Sequence, residues 1–231
     1  MYSFRVRFTK EQRQKYLSHL ELIKGIERAI RRAQLEMVYS EGFHPHPKLS
    51  FGPALAVGTA SEDEYFDLEL TRDYPPEKIL ESINKALTEG LNVLAVKKIL
   101  HRVKPLNAII NRASYVMILR TDPRDRSVII DQLNILLTST SVEIIRTNKD
   151  GQKVVNIRPW LHTLTIRIKD DDLLELEFIG EIGSSGNLRP DDLLRVISRP
   201  VEVLAITRTG LWREEDGTVT RPLDFCDKAG G

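Results

Sequence analysis

The sequence predicts an α+β protein made of two ferredoxin-like units in tandem, each a split βαβ arrangement. Three observations carry this expectation. Short stretches of apolar/polar alternation recur along the chain, each half holds two helix-patterned segments among them, and 231 residues with 41% hydrophobic content can supply two cores. The units are expected at 1–100 and 113–213, with a connection at 101–112 and a C-terminal tail at 214–231.

Residues 2–8 open the first unit: Tyr2, Phe4, Val6 and Phe8 share one face, and Ser3, Arg5 and Arg7 the other, the period of a half-buried strand. Ser18 stands three residues before Glu21, the spacing of a capping box, so a helix is expected from His19 to about Gln34. Leu20, Ile23, Ile26, Ile30 and Ala33 give that helix an apolar stripe. Residues 37–39 read as a short strand, 49–57 as extended chain, and 64–70 as an alternating strand with Phe66, Leu68 and Leu70 opposite Tyr65, Asp67 and Glu69. Pro75 and Pro76 start a second helix, Gly90 ends it, and 91–100 returns as a strand. The order is β-α-β-β-α-β.

Residues 101–111 show no clear period and read as a connection. The pattern then repeats with a strand at 113–120, a helix at 123–137, and strands at 142–146 and 153–158 flanking a turn at Lys149, Asp150 and Gly151. A second hairpin is expected at 162–169 and 173–181, a short helix at 190–197, and a last strand at 201–212. The second unit is thus ferredoxin-like with an added hairpin.

Charge and cysteine usage narrow the function classes. Lys and Arg number 34 against 33 Asp and Glu, a balance that says little as a total. The first sixty residues differ: ten Lys and Arg face five Glu, which points to an anionic partner. One cysteine, Cys226, leaves no internal disulfide framework and no triad for an iron–sulfur cluster. It reads as an ordinary thiol in the tail, with pairing between chains as the other option. No apolar run of membrane-spanning length occurs, and the first ten residues lack the apolar core of a signal peptide, so a cytoplasmic location is expected.

The stretch 39–58, YSEGFHPHPKLSFGPALAVG, is the candidate site. Proline fixes φ and pushes the residue before it out of the helical region, so the run from His44 to Pro47 should be extended whatever surrounds it. Gly42, Phe43, Pro45, Pro47, Phe51 and Gly52 are expected to shape this loop, with Phe43, Leu49 and Phe51 packing inward. His44, His46 and Lys48 are then presented outward. On the preceding helix Lys24, Arg28, Arg31 and Arg32 fall at i, i+4, i+7 and i+8. That stripe reads either as an RNA-facing surface or as a solvated helix face trimmed by a Glu27–Arg31 pair.

His44 and His46 lack compact partner ligands, so no metal and no other cofactor is expected. No phosphate loop, dinucleotide fingerprint or nucleophile elbow occurs, and no catalytic residue is assigned.

The segments YLSHLELIKGIERAIRRA, YSEGFHPHPKLSFGPALAVG and EYFDLEL, in this order, resemble a radical-SAM-associated family of bacterial proteins, a domain of unknown function. The loop of that family matches at Gly42, Phe43, His44, Pro45, Pro47, Lys48, Leu49, Ser50 and Phe51. The resemblance implies a partner, a radical-SAM/cobalamin protein fused to the domain or encoded beside it, and a setting in RNA metabolism. The expected role is therefore that of a non-catalytic accessory protein binding RNA through Lys24, Arg28, Arg31, Arg32, His44, His46 and Lys48. A module that docks on the enzyme without touching RNA is the alternative, and an independent RNA-modifying or processing enzyme the third.

Overall fold

Alternation at the N-terminus produces the first strand, β1 (Tyr2–Lys10), and the computed structural model describes residues 1–148 and 151–227 of the chain. It is followed by α1 (His19–Arg32), β2 (Leu49–Phe51), β3 (Ala60–Leu70), α2 (Pro76–Ala86), β4 (Leu91–Ile99) and α3 (Leu106–Ile109). The rest comprises β5 (Arg112–Thr121), α4 (Arg126–Thr138), β6 (Glu143–Asn148), β7 (Gly151–Asn156), β8 (Leu161–Asp170), β9 (Leu173–Glu181), α5 (Pro190–Leu194), β10 (Val201–Glu215) and β11 (Thr218–Thr220). The protein is a mixed α+β chain with large, mostly antiparallel sheets and few helices. Two units divide it: Met1–Asn111 with Gly210–Gly231, and Arg112–Thr209.

In the first unit β1 lies between β3 and β4, antiparallel to both, and β2 extends the far side of β3. The capping box forms as the spacing requires: the Glu21 amide donates to Ser18 Oγ at 3.3 Å, and the Ser18 amide donates to the Glu21 carboxylate at 2.8 Å. Helix α1 then lays Leu22, Ile26 and Ile30 on Phe4, Val6, Phe8, Phe66, Leu68 and Leu70, with Ile79 and Ile83 of α2 in the same cluster. Burying such side chains contributes about 1.5–3 kcal/mol each and is the main force holding both helices to one face of the sheet. The other face is polar. Arg5, with no exposed surface, sits opposite Asp67 in register and forks onto it across the sheet at 2.7 and 2.8 Å. Its third donor reaches the Pro222 carbonyl at 2.9 Å.

That last bond corrects the reading of 214–231 as a tail. Residues 218–220 form β11 against β10, and a 3-10 turn at Pro222–Cys226 buries Pro222 and Cys226 in the first unit. Burial pushes the Cys226 thiol up to about 11. The connection at 101–111 is also structured, because α3 and the residue after it bury Leu106, Ile109 and Ile110. The strand expected at 37–39 and the extended chain expected at 49–57 pair only in part. Residues 37 and 39 make single bridges, to Leu70 and Pro47, and β2 stops at Phe51, where Gly52 and Pro53 end the ladder.

In the second unit β5 pairs with β9 and β9 with β8, both antiparallel, and residues 201–209 of β10 flank β5. Residues 210–215 of the same strand belong to the first unit, beside β3. Tyr115 and Phe178, opposite in register, stack at 5.1 Å, and Leu119, Leu133, Leu136 and Leu176 are fully buried. Strands β6 and β7 form the added hairpin. The expected turn at Lys149 and Asp150 lies outside the described residues. Gly151, at φ +124°, begins the returning strand in a conformation open to glycine. Arg146 of β6 forks onto buried Asp192 and lies over the Trp160 ring, fixing the hairpin to the start of α5. Among the described residues no helix is long and apolar enough to cross a membrane.

Candidate functional site

Backbone bonds fix the loop at both ends. The Val38 amide donates to the Glu69 carbonyl at 2.9 Å, the Lys48 amide to the Val38 carbonyl at 2.8 Å, and the Glu69 amide to the Lys48 carbonyl at 3.2 Å. One step outward, the Ser40 amide donates to the His46 carbonyl at 2.8 Å, while the His46 amide donates to Ser40 Oγ at 3.0 Å. Residues 41–46 project beyond this closure, and all six are exposed. Gly42 turns the chain at φ +119°, a value that disfavours any side chain even though open space surrounds it.

Phe43 is at the tip, wholly exposed at 102% of its reference surface. This corrects its expected inward packing. A loop held by Ser40 and His46 and stiffened by two prolines cannot fold its tip back to the core. Phe51, past the loop, does pack: it pairs with Phe66 in register and stacks on it at 5.3 Å. Leu49 beside Leu68 is partly buried against the same core.

Beside the C-terminal stem of the loop, on the polar face of the sheet, lies a cavity of about 490 Å³. Its floor is made by Ser3, Ser50, Asp67 and Glu69, and one wall by residues 101–105. Lys48 reaches in from the loop stem, its ammonium 3.6 Å from the Glu69 carboxylate. His101 and Arg102 also line it, both exposed, and neither makes a hydrogen bond or ion pair with another described residue. The volume lies in the range of small-molecule sites.

The helix stripe is elsewhere. Lys24, Arg28, Arg31 and Arg32 are exposed on α1, with Arg31 paired to Glu27 at 2.5 Å and Arg32 donating to the Ala86 carbonyl at 2.7 Å. Helix α1 packs on the face of β3 that carries Leu68 and Leu70, whereas Lys48 reaches Glu69 on the opposite face. The α1 cations and Lys48 therefore lie on opposite sides of the sheet. The single surface expected to join them is not formed.

Residues 3–190 match a family described as an uncharacterized protein conserved in bacteria, DUF2344. The chain belongs to this family. No curated protein matches the DUF2344 chain. Among solved structures it is similar to a chain of the Cbf5-Nop10-Gar1 complex, at 12% identity and a TM-score of 0.52, over 97% of its own length and 54% of that chain. It is also similar to a chain in the structure of an H/ACA RNP bound to a substrate RNA containing 2'-deoxyuridine, at 11% identity and a TM-score of 0.48, covering 90% and 47%. The DUF2344 chain thus spans about half the length of the solved chains it resembles, and the likeness concerns the fold.

Sequence reasoning overlooked His101, Arg102 and Lys104 of the cavity wall, which it read as a connection. Their signal is the compact run HRVKP, three basic or titratable side chains closed by a proline at the end of a strand.

Proposed function

We propose that this chain binds single-stranded RNA through the loop of its first unit, as a non-catalytic accessory protein. The observation that carries the reading is Phe43, a wholly exposed aromatic at the tip of a proline-stiffened loop, flanked by exposed His44 and His46, with Lys48 exposed in the loop stem. An aromatic ring held outward by a rigid stem is a stacking platform for an unpaired base, and neighbouring cations attract its phosphates. The stem lowers the ordering cost, because proline has already removed most of the loop's freedom.

We read each unit as ferredoxin-like, the element order βαββαβ recurring with its fourth strand beside its first. We place the first unit at 1–111, completed by the segment that begins at Gly210, and the second at 112–209. The association with a radical-SAM/cobalamin protein, implied by the loop resemblance, supplies the setting in which bound RNA would be handed to an enzyme. The likeness to a chain of the Cbf5-Nop10-Gar1 complex supports this fold as one used inside assemblies and contributes no binding residue.

The test is equilibrium binding of a single-stranded RNA pool at several salt concentrations. Replacing Phe43 with Ala should weaken binding by roughly 5- to 150-fold, the worth of one stacked base. Replacing His44 and His46 with Ala should change the preference among sequences. The Arg28→Ala/Arg31→Ala variant of α1 should leave affinity nearly unchanged if the loop face is the interface. Equal affinity in wild type and F43A, with the fold confirmed by circular dichroism, would sink the loop reading. Capture of a protein partner by an RNA-free chain would favour docking.

A further inference from the structure

We infer that the cavity beside the loop stem is a pocket for one nucleotide whose base carries an exocyclic amine, with the phosphate at its cationic mouth. The inference deepens the RNA reading and rests on it only for the source of the nucleotide. The cavity joins three chemistries that a nucleotide also joins. At the mouth, Arg102 has no partner among the described residues, and Lys48 is held only by a loose 3.6 Å contact that a phosphate could replace. Along the wall, Ile99, Val103 and Pro105 offer apolar surface on which the face of a base can lie. At the floor, Asp67 and Glu69 present carboxylate oxygens, which accept hydrogen bonds and cannot donate.

The floor decides the base. Each Asp67 oxygen takes one Arg5 donor, at 2.7 and 2.8 Å, and each retains a further lone pair. A carboxylate floor therefore favours adenine, cytosine and guanine, whose amines donate two hydrogens, over uracil, whose single ring donor, N3–H, stands between two carbonyl oxygens that a carboxylate repels. A simple anion would satisfy the mouth and leave the floor unused. The Arg5–Asp67 fork also holds the floor rigid: Arg5 is fully buried, so the acceptors are in place before any ligand arrives.

Isothermal titration of the full chain with 5′-AMP, CMP, GMP and UMP, and separately with a short single-stranded RNA, tests this. The three amine-bearing nucleotides should bind at least several-fold more tightly than UMP. Arg102→Ala should weaken all four by roughly tenfold, consistent with loss of one charge-assisted bond. Glu69→Gln, which adds a donor at the floor, should shrink the margin over UMP, whereas a purely structural Glu69 would not alter base preference. No saturation by any mononucleotide at millimolar concentration, or binding of UMP equal to the others, overturns the inference. The two readings separate cleanly. RNA binding that depends on Phe43 but is unmoved by Arg102→Ala and by cavity filling with Ser50→Trp leaves the RNA reading standing and removes the pocket. Nucleotide binding as expected, without RNA binding, makes the cavity a site for free nucleotides and removes the RNA reading.

Discussion

Arg5 shows why one residue governs both the stability of the first unit and the shape of its cavity. Its place on the polar face of β1, like that of Asp67 in the polar phase of β3, was legible from alternation. Its complete burial was not, because the covering Pro222 turn comes from 217 residues further along the chain. A fully buried guanidinium is costly unless every donor is met. Asp67→Ala should therefore destabilise the protein by about 3–5 kcal/mol, since it strands a buried charge, measured as a lower urea midpoint at constant m-value. The double variant Arg5→Met/Asp67→Leu should recover most of that loss, as apolar groups of similar size remove the charge along with its partner. Failure of the double variant to recover would mean the fork is also needed for packing. Phe43 teaches the converse at the same scale: an aromatic beside core-bound Leu49 and Phe51 reads as core, and only the backbone closure at Ser40 and His46 shows that it points out.

Elements were legible where local chemistry and tertiary packing agree. Helix α1 is the clearest case, because its capping box and its Glu27–Arg31 pair appear at the expected positions and Ile26 and Ile30 of the expected stripe are buried, although Leu20 is exposed and Leu22 enters the core in its place. Helix α3 was illegible: four residues after a proline carry no period, and only the burial of Leu106 and Ile109 reveals it. Strand β2 was overextended for a similar reason, as the apolar run after Leu49 continues past Gly52 while the ladder cannot. The cap makes a measurable prediction. Ser18→Ala should lower stability by about 1 kcal/mol, read from urea unfolding near neutral pH. The difference has a pH signature. Bonds from the Ser18 hydroxyl and then the Ser18 amide hold the Glu21 carboxylate below its ordinary 4.5. The charged cap is thus fully in place above that value and is lost as pH falls through the lowered one. The gap between wild type and S18A should narrow in acid, leaving the share carried by the Glu21 amide on Ser18 Oγ. A gap that stays constant down to pH 2 would show that Glu21 takes no part.

For the chain as a whole, the decisive fact is that the first unit is discontinuous in sequence. Residues 101–111 and 214–231 read as a connection and a tail because nothing local marks a segment that completes a distant sheet. In the structure the Asn111 amide donates to the Trp212 carbonyl at 3.1 Å, and the Asn111 side chain exchanges two bonds with the Glu214 backbone, at 2.9 and 2.8 Å. The two chain segments that leave and re-enter the first unit are therefore neighbours. The returning segment is indispensable to it: the Leu211 amide donates to buried Asp63 at 2.7 Å, the Leu100 amide donates to the Cys226 carbonyl at 3.2 Å, and Pro222 caps Arg5. A fragment ending at Asn111 loses all of these acceptors and donors at once and should fail to give a cooperative unfolding transition. Residues 1–111 joined to 210–231 through a flexible linker of about four Gly and Ser residues should fold, since so short a closure adds little entropy cost. Amide exchange decides between the two outcomes. Protection at Leu100, Asn111 and Leu211 in the linked protein, and its absence in the 1–111 fragment, is the expected result. Equal protection of Leu100 in both would mean that the first unit closes without its C-terminal segment.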